Sequence, residues 1–149
     1  GVGQSTAALE PLKTVAASQK KNGRPLADDP DFAARLARVE IELANMRTTN
    51  LRVVAAVAGG GAPGAESSML KIRGTQIRQE ITALNRRAMG PYARPFVAEA
   101  LHDGHDAAPI GPEGADSAAA QYFNNRKLSI FGGSNEIQKN IISKMILGL

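Results

Sequence analysis

Residues 29–58 read DPDFAARLARVEIELANMRTTNLRVVAAVA, and this stretch decides the fold. Asp29 can cap a helix. Pro30 suits the first helical position, where a missing N–H costs nothing, and Asp31 complements the dipole of the first turn. Apolar residues then recur at Phe32, Leu36, Val39, Leu43, Met46, Val53 and Val57. Their spacing alternates four and three, with Asn50 in the one polar slot, which is a heptad-like seam. A helix of this length runs on the order of 40 Å at 1.5 Å per residue.

The flanks extend the pattern. GGGAPG (residues 59–64) stops the helix, and so short a link returns the chain antiparallel. The returning helix covers about Glu66 to Met89, with Leu70, Gly74, Ile77, Ile81, Leu84 and Ala88 on one face. Gly74 in that face permits close packing. On the other side, Val2 to about Lys21 is Ala-rich, and Leu9, Leu12 and Ala16 share a helical face. Pro11 implies a kink or a late start. In NGRPLADDP (residues 22–30), Asn22-Gly23 supplies a C-cap, and Pro25 and Pro30 block continuation.

Residues 90–115 hold Pro91, Pro95, Pro109 and Pro112 with several Gly and Asp, so no continuous helix fits. The stretch is too long for an ordinary bundle loop and reads as a surface crossover. Helical pattern returns from about Asp116 through SAAAQYFNNRKLSI (117–130) until Gly132-Gly133. Ser134 or Asn135 caps a final helix, and Glu136 complements its dipole. Ile137, Ile141, Met145 and Ile146 form its expected buried stripe, and Gly148 ends it. No segment alternates with period two. The expected fold is all-α, an up-down antiparallel bundle with one long crossover, in a single domain over residues 1–149.

Composition narrows function. The 149 residues include no cysteine, which rules out disulfides and thiolate metal sites and suits a cytoplasmic location. No apolar run approaches the ~20 residues that span a bilayer. The net charge is +4, but the cations are scattered among acids. With four Phe, two Tyr and no Trp, a base-stacking platform for nucleic acid has little to be built from. The chain opens at Gly1 almost directly into helical pattern, as a processed or truncated product would.

Candidate chemistry is sparse. HDGHD (102–106) offers His102, Asp103, His105 and Asp106, but its Gly and the surrounding prolines fit a solvated loop, and no further ligand cluster completes a metal site. There is no Walker loop, no G-x-G-x-x-G and no nucleophile elbow. The turn FGGSNEIQ (131–138) remains. Its glycine pair lets backbone approach a ligand, and the helix behind it aims N–H groups and a positive dipole end at the turn. Ser134, Asn135 and Gln138 add polar side chains. That suits a phosphate, a ribose or a purine edge; a simple capped helix explains the same residues.

GGSNEIQKNIISKMILGL (132–149) resembles the C-terminal signature of acyl-CoA dehydrogenases. Residues 1–30 resemble the first helix of that family's C-terminal bundle and the turn after it. ESSMLKIRGTQIRQEITALNRRAMGPYA (66–93) resembles the third helix in the branch that includes pimeloyl-CoA dehydrogenase large subunits. The resemblance implies a four-helix C-terminal bundle that packs an oligomer core, a dimer of dimers, and contributes to an FAD site partly across a subunit interface. It implies a parent enzyme that oxidises an acyl-CoA thioester to its trans-2-enoyl product and passes electrons to an electron-transfer flavoprotein. The family's N-terminal helical and middle β-domains are absent here, so the chain by itself is expected to be an inactive fragment.

By the same resemblance, Ser134, Asn135, Glu136, Ile137 and Gln138 match the flavin-contacting turn. Gly90 stands where the family touches a neighbouring subunit's cofactor, although AMGPY (88–92) departs from the usual double glycine. Gln19 stands where many members carry an arginine toward the flavin pyrophosphate, with Lys20, Lys21 or Arg24 as substitutes that lack or displace its fork. Gly132 occupies the position of the family's catalytic Glu, so no catalytic residue is assigned. Glu136 is not expected to replace it, because it should lie within the first turn of the helix, near its dipole. Either the base lies upstream of this chain, or the subunit supports a catalytic partner. A plain oligomerisation module is the remaining rival.

Overall fold

The computed structural model describes residues 2–108 and 110–148; Pro109 of the expected crossover lies outside them. The fold is mostly helical. Among the described residues there are five α-helices: α1 (Val2–Ser18), α2 (Pro30–Ala58), α3 (Glu66–Ala88), α4 (Ala115–Asn124) and α5 (Asn135–Leu147).

Helix α3 is the axis, and the other four α-helices all pack on it. Side-chain pairs fix the directions. Arg35 pairs with Glu80 and Glu42 with Arg73, so α2 runs antiparallel to α3. Arg78 Nη1 donates to the Gln4 carbonyl at 2.9 Å near the start of α1, while Val15 near its end packs against the cluster of Met89, Ala93, Ala115 and Ala118 beyond the end of α3. Helix α1 is therefore parallel to α3. Gln79 Nε2 donates to the Asn125 carbonyl at 3.1 Å, and Ala118 packs with Met89, so α4 runs back down α3.

The main core joins Leu9, Leu12 and Ala16 of α1 to Phe32, Val39, Leu43 and Met46 of α2 and Ile77, Ile81, Leu84 and Ala88 of α3. Gly74 lies where a Cβ would meet Met46 Cε at 3.4 Å, the close approach expected of it. A smaller core joins Met89, Ala93, Ala115 and Ala118. The small side chains of α4 let it lie close to the rest, because bulk at Ala115, Ala118 or Ala119 would displace the helix.

Several expectations change. Helix α1 starts at Val2 and runs through Pro11, which faces solvent; the buried Leu9, Leu12 and Ala16 hold the helix against the local cost of proline. Asn22-Gly23 is not a C-cap. Both residues have positive φ, 52° and 79°, and form the two-residue turn of a small antiparallel hairpin pairing Lys20–Lys21 with Arg24–Pro25. An Asn-Gly pair suits that turn because its twist matches the strands. The α2 seam is buried only as far as Met46; Val57 is exposed and Val53 half-buried. The stripe of α5 is not buried: Ile137 is 52% exposed, Ile141 37%, Met145 54% and Ile146 67%. Apolar periodicity marks a face that favours a cover, and among the described residues none buries that face of α5.

The crossover after α3 holds two short 3₁₀ turns, Gly90–Ala93 and Glu99–Leu101, and is exposed over most of its length. No helix among the described residues is long and apolar enough to cross a membrane.

Candidate functional site

The FGGSNEIQ turn sits at the N-terminal end of α3. Gly132 and Gly133 have φ of 68° and 84°, a left-handed region costly for residues with a Cβ. They reverse the chain into α5, where Ser134 is the N-cap and its Oγ accepts from the Ile137 N–H at 3.3 Å. The Glu136 carboxyl is held below the usual carboxylate range, first by its own backbone N–H and then by the Ser134 hydroxyl. Of the first-turn N–H groups, that of Ile137 thus has its acceptor in Ser134 Oγ, and the Glu136 carboxylate belongs to the same turn. The Asn135 and Gln138 amides add neutral polar edges to the same turn.

Those edges are fixed from two sides. Lys71 Nζ donates to Asn135 Oδ1 at 3.1 Å, and Gln138 Nε2 reaches the Gly132 carbonyl at 3.5 Å. A Cβ on Gly133 would stand 2.6 Å from Gln138 Nε2, whereas nothing lies within 4 Å of one on Gly132. A cleft of about 370 Å³ opens beside Gly132, lined by Phe131 and Leu128 with Lys71, Thr75 and Arg78 of α3 and Gln4 and Ser5 of α1. Lys71 escaped the sequence reading, since a lysine beside the seam residue Leu70 resembles any solvated helix cation.

Gly90 lies elsewhere. It follows the end of α3 with φ 57°, 19 residues after Lys71, which is roughly 28 Å along a helix. The chain thus brings together Ser134, Asn135, Glu136, Ile137 and Gln138, and sets Gly90 at the opposite end of α3. Around Gly90's end lies a second, larger cleft of about 620 Å³, lined by Gln19, Val15, Asn85, Met89 and Gly114. The Lys20–Pro25 hairpin follows α1 at this same end. Lys21 is bound there to Asp29, the N-cap of α2, while no ion pair among the described residues holds Lys20 or Arg24.

In HDGHD, His105 Nε2 lies 3.8 Å from Asp116 Oδ2, and His102, Asp103 and Asp106 are exposed. No three potential ligands converge among the described residues.

A family model described as "Acyl-CoA dehydrogenase, C-terminal domain" matches residues 1–147. The chain belongs to that family. The fold is similar to a chain of the ChsE4-ChsE5 complex from Mycobacterium tuberculosis, at 24% identity and a TM-score of 0.74, covering 100% of this chain and 36% of that one. It is also similar to butyryl-CoA dehydrogenase from Megasphaera elsdenii (16%, TM-score 0.72, 98% and 33%) and to PigA in its FAD complex (20%, TM-score 0.76, 99% and 34%). The chain spans about a third of the length of these structures. Among curated proteins no match is found.

Proposed function

We propose that this chain is the C-terminal bundle of an FAD-dependent acyl-CoA dehydrogenase that converts an acyl-CoA thioester to a trans-2-enoyl-CoA. In this reading α1, α2, α3 and the α4–α5 limb are the bundle's four members, and the chain alone is inactive. The observation that carries it is the separation of the two candidate cofactor corners. Ser134–Gln138 and Gly90 lie at opposite ends of α3, so one copy cannot close both around one flavin. Two copies in opposite orientation can bring one corner of each together. The exposed faces of α5 and of the last turns of α2 then become oligomer surface, as in a dimer of dimers.

The residues fit a neutral part of a flavin nucleotide. Asn135 and Gln138 offer amide edges, and the Gly132-Gly133 backbone presents no side chain toward the approach. At the other corner, Gln19 and Met89, the residue before Gly90, line a cleft large enough for part of a dinucleotide, with Lys20 and Arg24 as the cations free to meet a pyrophosphate. Bound FAD supplies acceptance of a hydride from the thioester's β-carbon. The α-proton needs a carboxylate, and Gly132 supplies none. Glu136 does not serve in this reading, because it stands in the first turn of α5, four residues beyond the Gly132 position. The base in this reading comes from outside the chain.

The deciding experiment is anaerobic addition of acyl-CoA thioesters to the full-length protein, followed by flavin absorbance. Bleaching supports the reading. Absence of flavin from preparations with and without added FAD overturns it. Gly132 favours a second reading, a flavin-bearing subunit that needs a catalytic partner; flavin that bleaches only after a second subunit is co-expressed selects it.

A further inference from the structure

On the α3–α4 face, two guanidinium groups lie against one aromatic ring. Arg86 Cζ is 5.0 Å from the Tyr122 ring centroid and Arg126 Cζ 4.6 Å; Arg86 is also 5.8 Å from Phe123. Tyr122 and Phe123 meet edge to face at 5.2 Å. No carboxylate among the described residues pairs with Arg86, Arg126 or Lys127. Arg86 Nε is buried without an acceptor, and Phe123 is 60% exposed. Uncompensated arginines stacked on aromatic rings around an exposed phenylalanine have the composition of an interface centre.

The complement is on the same chain. Residues 95–106 carry Glu99, Asp103 and Asp106 with no Lys or Arg, and expose Phe96 and Leu101. Its Glu99–Leu101 turn packs on α4, the helix that carries Tyr122 and Phe123. A basic-aromatic patch and an acidic-apolar patch thus share one helix, yet they form no ion pair with each other. Adjacent patches of opposite sign are self-complementary under a two-fold rotation, where each meets its opposite on the other copy.

We propose that two copies of this chain pair through α4, the acidic segment 96–106 of each lying on the Arg86–Phe123–Arg126 face of the other. This goes beyond the oligomer reading above by naming the contact, and it does not depend on flavin. The test uses the full-length protein in two forms: face-reversed (R86E/R126E) and segment-reversed (E99K/D103K/D106K). Each alone should weaken self-association by at least about tenfold in low salt, because like charges then meet at both contacts. Co-expressed with different tags, the two forms should recover wild-type association as mixed pairs, since both contacts are then attractive. The segment carboxylates are exposed, so that variant folds whatever Arg86 contributes to packing. An unchanged dissociation constant for the segment-reversed form, or folded variants that fail to recover on co-expression, overturns the proposal. Flavin content of the wild-type protein is measured alongside, and its absence while association is intact counts against the flavin reading alone.

Discussion

Arg35 and Glu80 lie 45 residues apart in sequence and join α2 to α3, with Nε donating to Oε1 at 2.8 Å. Seven residues along each helix the polarity reverses, and Glu42 of α2 meets Arg73 of α3 at 2.7 Å. The apolar seam repeats every heptad, so apolar burial alone discriminates poorly against a slip of seven residues. The charges discriminate. A slip one way sets Arg35 against Arg73 and Glu42 against Glu66; a slip the other way sets Arg35 against Arg87 and Glu42 against Glu80. Each pair is partly exposed and stabilises by only about 0.5 kcal/mol, so their larger effect is on register. Arg35→Glu should lower stability by about 1 kcal/mol in a urea titration, and Arg35→Glu with Glu80→Arg should restore most of it. Exchanging both charges on α2 alone (Arg35→Glu with Glu42→Arg) should favour the slipped pairing and flatten the unfolding transition.

Gly74→Ala should leave stability unchanged or raise it by up to about 1 kcal/mol. The added Cβ makes ordinary contact with Met46, and alanine is the better helix former. Gly74→Leu should cost about 1–3 kcal/mol by forcing α2 and α3 apart. Thermal melts of the two variants, moving in opposite directions, would check the close helix approach.

Asp29 joins α2 to the hairpin by accepting from the Phe32 N–H at 3.1 Å and from Lys21. Lys21 first, and that N–H second, hold its carboxyl below the ordinary 3.8. A lowered folded-state pKa means stability that is fully present above the unfolded value and lost as pH falls below it. Asp29→Asn keeps a capping oxygen and loses the ion pair. It should therefore reduce stability at neutral pH and flatten the acid limb below about pH 4. Urea midpoints between pH 2.5 and 7 would show the two curves converging at the acid end.

Gly132→Ala and Gly133→Ala should separate strain from site. Both positions require positive φ, which costs about 1–2 kcal/mol for alanine. Only at Gly133 does the new Cβ also press on the Gln138 amide. Both variants should therefore lose similar stability, while Gly133→Ala in the full-length protein loses more flavin. Equal flavin content in the two variants would remove Gln138 from the cofactor site.

The sequence by itself determined the ends of α2 and α5. Asp29-Pro30 opens α2, GGGAPG closes it, Ser134 caps α5 and Gly148 ends it, because caps and breakers act over a few residues and need no distant partner. Tertiary structure decided the rest. Only packing shows that α1 tolerates Pro11, because the buried Leu9, Leu12 and Ala16 outweigh it. Only packing shows that the stripe of α5 faces outward, since periodicity fixes which residues share a face and not what lies opposite. And only the direction of α3 sets Gly90 at one end and Ser134–Gln138 at the other, because that relation depends on how helices distant in sequence pack together.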